Sequence, residues 1–331
     1  MNNINVSFSA LETYEQCSEK YRLRYEERIV SEKIPSPLFF GSAIDSAVEL
    51  FLLQKKKILS DRELDLLLNE DAYSMFDKCM QEQNGVLLEK NPLCEYFYSD
   101  FDPSILKVED LTKLSKLYPS IEDFFVFFNK CKTTLKQKED LSKGSRVVFN
   151  HLCWMSLYRK GELLLKAYEQ TILPEIEEVF DIQKEIELVN HSGDKLRGKI
   201  DFIASFKDAP NEVYICDNKT SSEAYKEDSV SNSTQLSIYS EAENSSKACY
   251  VVLQKKIRVK DPKVRTQIIK DTVSEEQKQK TFDFVENKLN NIACGEFSKK
   301  DSPKECHFFG KKCPYYLYCW NNKDMTGLYK K

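Results

Sequence analysis

Three residues in the second half of the chain have the types and order that phosphodiester hydrolysis needs. Asp201 closes the run Gly198-Lys-Ile-Asp201, and Asp217 and Lys219 belong to Asp217-Asn-Lys219-Thr220. Cleaving a phosphodiester at neutral pH calls for a divalent ion that neutralises phosphate charge and makes hydroxide from water. Hard ions such as magnesium take carboxylate and carbonyl oxygens, and two aspartates on neighbouring strands supply them. Lys219 lies two residues beyond Asp217, on the same face of a strand. An ammonium there would orient the attacking water and stabilise developing charge. The tripeptide alone says little. Among 49 basic and 53 acidic residues an Asp-x-Lys arises by chance, and its plain reading is a charge pair at a strand end. Order and surroundings must carry the case.

Those residues need a sheet, and the pattern around them predicts one. Val179 to Val189 alternates as a strand and Asn190 to Asp194 reads as a turn. From Leu196 to Phe206 the alternation places Leu196, Gly198, Ile200, Phe202, Ala204 and Phe206 on one face, and Arg197, Lys199, Asp201, Ile203 and Ser205 on the other. Lys207 to Asn211 reads as a second turn and Glu212 to Thr220 as a third strand. Thr234 to Ala242 reads as a helix, Ala248 to Lys256 and Arg265 to Thr272 as further strands. Ser274 to Ala293 reads as a helix with a capping box at Ser274 and Gln277, an apolar stripe at Phe282, Val285, Leu289 and Ile292, and Gly295 as its stop.

Upstream, Phe8 to Val30 reads as a helix with an aromatic and basic face: Tyr14, Tyr21, Arg22, Arg24 and Tyr25. Gly41 to Lys57 reads as a second helix that buries Ala43, Ala47, Val48, Phe51 and Leu52. The stretch from about 60 to 175 is rich in Leu, Phe, Tyr and Lys and reads as mostly helical, with Ser145 to Gln170 a long helix ending before Pro174. The expected architecture is α/β: a central mixed sheet flanked by helices, with a large helical insertion. The expected divisions are residues 1–57 (N-terminal helices), 58–177 (helical insertion), 178–297 (core) and 298–331 (a cysteine-bearing end).

Composition agrees with a folded chain. The 331 residues are 41% hydrophobic and 31% charged, enough for a sizeable core and unlike a disordered protein. No apolar run approaches the ~20 residues of a membrane span, and the start lacks a signal-peptide pattern. An intracellular, cytoplasmic protein with no membrane partner is expected. The net charge of −4 weighs mildly against a nucleic-acid binder, although a nuclease needs only a local basic groove. Eleven cysteines without a secreted context argue against a disulfide framework.

The order of these motifs resembles the PD-(D/E)xK nuclease superfamily, in its RecB/AddB-like branch, which includes the CRISPR-associated RecB-like exonucleases. In that branch a Gly-x-Ile-Asp strand and an Asp-x-Lys strand supply the metal carboxylates and the lysine. A Gln-x-x-x-Tyr helix follows, here Gln235-Leu-Ser-Ile-Tyr239. Ser7-Phe-Ser-Ala-Leu11 and Cys17-Ser-Glu-Lys-Tyr21 look like the branch's opening motifs, with Ser18 in place of its proline. Gly41-Ser-Ala-Ile-Asp45-Ser-Ala-Val-Glu49 looks like its Gly-x-x-x-His-x-x-x-Glu helix, with Asp45 where the family has a metal-binding histidine. The resemblance implies a restriction-endonuclease-like core. It also implies Mg2+ or Mn2+ held by Asp45, Asp201, Asp217 and the Asn218 carbonyl, with Gln235 and Tyr239 shaping the site or touching DNA. Glu49, one turn from Asp45, is expected to play a supporting part.

Cys306, Cys313 and Cys319 sit close together near the C-terminus. They look like the iron–sulfur ending of AddB-type nucleases, in which a fourth cysteine, here Cys17, completes the ligands of a [4Fe–4S] cluster. The spacing is stretched, because Gly310 stands where the family has its second cysteine. A zinc site, with or without His307, and free buried thiols remain open. Lys255 to Arg265 is the densest cationic stretch and a candidate phosphate surface, as is the basic, tyrosine-rich first helix; a solvated hairpin tip is the plain reading of the former. The reading is a metal-dependent DNA nuclease, an exonuclease acting on ends or single strands in recombination, repair, or phage or CRISPR-related processing, with a helicase or recombination partner. The alternative is a catalytically silent DNA-binding or helicase-associated subunit.

Overall fold

A computed structural model of the chain describes residues 3–331 except 33, 89–93, 96–100, 120, 122–123, 134–142, 257–262 and 309–310. Its centre is a mixed six-stranded sheet. The strands are β1 (Asn5–Ser7), β2 (Ile176–Val189), β3 (Lys195–Phe206), β4 (Ala209–Ser221), β5 (Lys247–Gln254) and β6 (Thr266–Thr272). β3 is the hub. Along one edge it pairs antiparallel with β2. Its other edge is shared: β1 runs parallel to it at Lys195–Arg197, and β4 runs antiparallel to it from Phe202 onward. β5 lies parallel to β4 and antiparallel to β6. The fold is the expected restriction-endonuclease-like α/β arrangement.

Helices cover both faces. On one side α1 (Phe8–Gln16), α8 (Thr234–Ala242) and α9 (Glu275–Ala293) pack against Leu196, Ile200, Ile203, Ile215, Tyr250 and Val252. On the other side lie α2 (Ser36–Leu53), α3 (Asp61–Asn69), α4 (Ala72–Leu88), α5 (Val108–Leu117), α6 (Phe124–Thr133) and α7 (Lys143–Ala167). They share a core with Phe202, Ala204, Phe206, Cys216, Val251 and Leu253. A sheet buried on both faces explains why β5, and β4 from Val213 to Cys216, read as continuous apolar runs. α2 is also long and apolar enough to suit a membrane span. It carries Asp45 and Glu49, however, and 56% of it is buried inside this core, which is how an interior helix of a globular protein behaves.

Four details differ from the sequence expectations. The first helix stops at Gln16, because Cys17 is extended at φ −168°. A single turn at Ser18–Tyr21 and a π-helical turn at Arg22–Glu26 follow, then a short strand at Ile29–Ser31 paired with Leu328–Lys330. α2 starts at Ser36 rather than Gly41, since Pro37 is tolerated in a first helical turn. β4 starts at Ala209, because Lys207 and Asp208 alone make the turn and Phe206 pairs with Ala209. Most consequential, the alternation of β3 is not continuous. Leu196 and Ile200 belong to the core beside α8 and α9, whereas Phe202, Ala204 and Phe206 belong to the opposite core. The phase slips next to Asp201. There, between the pairs Ile182–Phe202 and Lys184–Ile200, Gln183 of β2 takes a left-handed φ of 55°.

Candidate active site

Asp201 and Asp217 are cross-strand neighbours, one step beyond the pair Phe202–Cys216. The Asn218 backbone N–H donates to Asp201 Oδ2 at 2.7 Å, which fixes that carboxylate against β4. Lys219 Nζ lies 2.6 Å from Asp217 Oδ2 and donates to Gln235 Oε1 at 2.9 Å. Gln235 Nε2 in turn donates to the Tyr239 hydroxyl at 2.9 Å. The four-residue spacing on α8 puts Gln235 and Tyr239 on one helical face. Their row, Asp217–Lys219–Gln235–Tyr239, is therefore a product of one strand and one helix. α8 is held in register by Ser233, which accepts from Leu236 N–H at 3.1 Å and lies 2.6 Å from the Tyr250 hydroxyl. Gly198 leaves room for the Tyr239 ring: a Cβ at that position would lie 2.8 Å from Tyr239 Cε1.

The electrostatics are crowded. Asp217 is 2% exposed. Burial raises its carboxyl, while Lys219 and Gln235 pull it back down. Asp201 is held well above the usual carboxylate range by burial, then by Asp217 and Asp45. Asp45, reaching the site from α2, is pushed up to about 7 by burial and then by Asp217, against Lys219. Burial works against the Lys219 ammonium, but Asp217 beside it keeps its affinity for the proton high. Three carboxylates thus share one ammonium. Asp217 Oδ2 meets the Lys219 ammonium, whereas Asn218 Oδ1 is buried without a hydrogen-bond partner, a costly state unless something fills it. Hard oxygen donors, three crowded carboxylates and an unpartnered buried amide oxygen suit a divalent cation. Among the described residues, no three His, Cys, Asp or Glu side chains already stand in a closed ligand arrangement.

The structure adds residues that sequence reasoning missed. Glu12, at the rim, feels the site: partial burial of its carboxyl raises it, Lys219 opposes and Asp217 adds. Its signal was the single helical turn separating it from Phe8, whose ring lies 6.5 Å from that of Tyr239. Tyr250, directly across from Asp217 in the ladder, places its ring 5.8 Å from Lys219 Nζ, and Tyr225 stands edge-on to it at 5.3 Å. Glu49 sits one turn from Asp45 on α2, half-buried.

Cys17, Cys306, Cys313 and Cys319 are free thiols that share one neighbourhood. Burial pushes the Cys319 thiol up to about 12, with Glu19 and then the other three sulfurs adding to the effect. The Cys313 N–H donates to the Cys306 carbonyl at 2.7 Å, and Trp320 Nε1 donates to Cys306 Sγ at 3.4 Å. His307 is exposed, with Nδ1 3.2 Å from the Lys304 carbonyl. Of the two expected phosphate surfaces, the cationic stretch falls partly outside the described residues, Arg258 and Lys260 included, and Lys256 pairs with Glu223 at 2.7 Å. The first-helix surface needs correction. Tyr14 and Tyr21 are buried against Phe297, and Arg22 is paired with Glu19 and Glu27. Only Arg24 and Tyr25, 5.3 Å apart, remain of it.

A family model described as the PD-(D/E)XK nuclease superfamily matches residues 5–96 and 133–320. The chain belongs to this superfamily. Its members cleave phosphodiester bonds and typically use divalent metals such as magnesium. The matched segments of this PD-(D/E)XK protein include Asp45, Asp201, Asp217, Lys219, Gln235 and Tyr239. A search of curated proteins finds no match. A solved chain titled "Crystal structure of SSO0001" is 14% identical; the alignment covers 73% of this chain and 97% of that one, at a TM-score of 0.29.

Proposed function

We propose that this PD-(D/E)XK protein is a metal-dependent deoxyribonuclease of the RecB/AddB-like branch, an exonuclease acting on DNA ends or single strands in recombination or repair. The observation that carries the reading is the linked row Asp217–Lys219–Gln235–Tyr239 beside the crowded Asp201 and Asp45. Asp45, Asp201, Asp217 and the Asn218 carbonyl would hold Mg2+ or Mn2+. Such an ion, when bound, neutralises the phosphate and supplies hydroxide near pH 7. The chain's own residues do the rest. Lys219 orients the attacking water and screens the phosphate charge. Gln235 holds the Lys219 ammonium in place, and Tyr239 holds Gln235. Asp45 replaces a neutral ligand by a charged one, so the site is more acidic than its relatives' and takes a hard ion more readily.

The same reading assigns Cys17, Cys306, Cys313 and Cys319 to a [4Fe–4S] cluster, whose four thiolates would tie the N-terminal segment to the C-terminal one. Their shared neighbourhood, from positions almost 300 residues apart, supports this; the four sulfurs would draw closer together on binding, since, among the described residues, no three of them already form a metal-sized group. Linear single- and double-stranded DNA labelled at either end, with Mg2+ or Mn2+, tests the activity. Short products released progressively from one end are expected. Internal fragments appearing first contradict the exonuclease reading. Protein purified without oxygen is expected to be brown with broad visible absorbance, and colourless, iron-free protein rejects the cluster.

A further inference from the structure

A cleft apart from the hydrolytic row opens on the strand that carries Asp201. It measures about 410 Å³ and is lined by Asn5, Ser7 and Arg197 from β1 and β3, Ala10 from α1, and Tyr21, Tyr25 and Glu26 from the turn after it. None of these residues belongs to the hydrolytic row. The volume lies within the range of small-ligand pockets, about 300–1,000 Å³.

The lining is specific in its chemistry. Arg197 is held from both sides: its Nε donates to Glu187 at 3.1 Å, and the Asn5 amide, assigned with its oxygen inward because the other orientation sets donor against donor, accepts from Nη1 and Nη2 at 3.1 Å. Its side chain is nevertheless 58% exposed, so the guanidinium is oriented without being sealed off. A planar, fixed fork of donors suits a phosphate. The Ser7 hydroxyl lies at the first turn of α1, where it caps Ala10 N–H at 3.2 Å. The Tyr25 ring packs against Tyr21 at a tilt of 33°, centroids 5.1 Å apart, and has the Arg24 guanidinium 5.3 Å from its centroid. Tyr21 is buried and stacks on Phe297 at 6.0 Å, so it backs Tyr25 from inside the fold. A half-buried tyrosine backed by a buried ring is a platform for a nucleobase, since every base offers a π-face. The Glu26 carboxylate at the same cleft accepts from the Tyr21 hydroxyl; it repels a phosphate and keeps acceptor capacity for base amino groups. Cation, ring and carboxylate therefore sort a nucleotide: phosphate toward Arg197 and Ser7, base toward Tyr25 and Glu26.

Position adds the connection. Arg197 precedes Asp201 by four residues on β3, about 13 Å at roughly 3.3 Å per residue. A DNA strand advances about 3.4 Å per nucleotide in a duplex and more when stretched, so a few nucleotides join the two places. We propose that this cleft seats one nucleotide of the bound strand, a few positions from the phosphate being cut, and thereby sets the minimum length of a well-bound strand. The proposal rests on the nuclease reading of the Asp201 site.

The test is a length series of thymidine oligonucleotides, about two to twelve residues long, bound with Ca2+ in place of Mg2+ so that affinity is read without cleavage. Wild-type affinity is expected to rise in a step once the strand is long enough to reach the cleft. Arg197→Gln and Tyr25→Leu are each expected to erase that step, lowering affinity for the longer strands roughly tenfold, and to leave the shortest strands unchanged. Lys199→Gln, off the cleft on the same strand, keeps the step. Thermal melts confirm that each variant folds, and two variants from different elements guard against one failing to. A smooth length dependence, or a step that survives both variants, overturns the proposal. Failure of the nuclease reading looks different: wild type then leaves DNA intact in Mg2+ and Mn2+, whatever the length series shows.

Discussion

Gly198→Ala tests how the site is held together. A methyl group at residue 198 would lie 2.8 Å from Tyr239 Cε1 and 3.2 Å from Ile186 Cγ1. Relaxed carbon contacts fall at about 3.5–4.0 Å, so the ring must retreat by about 0.7 Å or β3 must bow away. Retreat is resisted. Tyr239 is 3% exposed, rests near Phe8, and is tied through Gln235 to Lys219. Overpacking of this kind costs roughly 1–3 kcal/mol. The displacement also propagates through two hydrogen bonds to the Lys219 ammonium. Because a shift of about 1 Å at a reacting group can cost about 100-fold, a roughly tenfold loss of cleavage rate is expected. Urea unfolding and initial rates on an end-labelled single strand measure the two effects. Gly41→Ala is the control: it sits in α2 with nothing within 4 Å of the new methyl, and is expected to be neutral or to stabilise by about 0.5–1 kcal/mol. If Gly198→Ala behaves like Gly41→Ala in both assays, the packing argument for the site is wrong.

Arg159→Met strands a buried carboxylate. Arg159 holds Asp110 through Nε at 3.0 Å and Nη2 at 2.7 Å, and Asp110 is 3% exposed, so a loss of about 3–5 kcal/mol in urea unfolding is expected. Burial lowers His151 from 6.5 to about 4. The unfolded chain binds that proton more readily, so this part of the stability is full above pH 6.5 and falls away toward pH 4, by on the order of 3 kcal/mol. Urea midpoints at about pH 7.5 and about pH 5 should therefore differ more in wild type than in His151→Phe. Asp45→His restores the ligand type of the related family helix. It is expected to raise the Mn2+ to Mg2+ rate ratio several-fold, as imidazole favours transition metals; an unchanged ratio removes Asp45 from the ligand set.

The parts of this protein that were legible in the sequence are those fixed by short-range pattern. The β4 run Val213 to Cys216, the Ser274 cap of α9, which accepts from Gln277 N–H at 3.1 Å, and the four-residue spacing of Gln235 and Tyr239 all follow from local periodicity. The phase slip beside Asp201 was not legible, because it depends on Gln183 across the sheet and on two cores competing for one strand. Tyr14 and Tyr21 looked like a binding face because their spacing on a helix says nothing about Phe297, which buries them from the far end of the chain. Glu12 escaped notice for the same reason: its neighbours Asp217 and Lys219 are about 200 residues away in sequence.

The central claim is that Asp201, Asp217 and Lys219 form a metal-dependent hydrolytic site. Its most direct test is cleavage of labelled linear DNA in Mg2+ or Mn2+ by wild type and by Lys219→Ala, with binding measured in parallel. The account predicts a metal-dependent wild-type activity that drops at least about 100-fold in Lys219→Ala while DNA binding persists. Equal cleavage by the two proteins contradicts it.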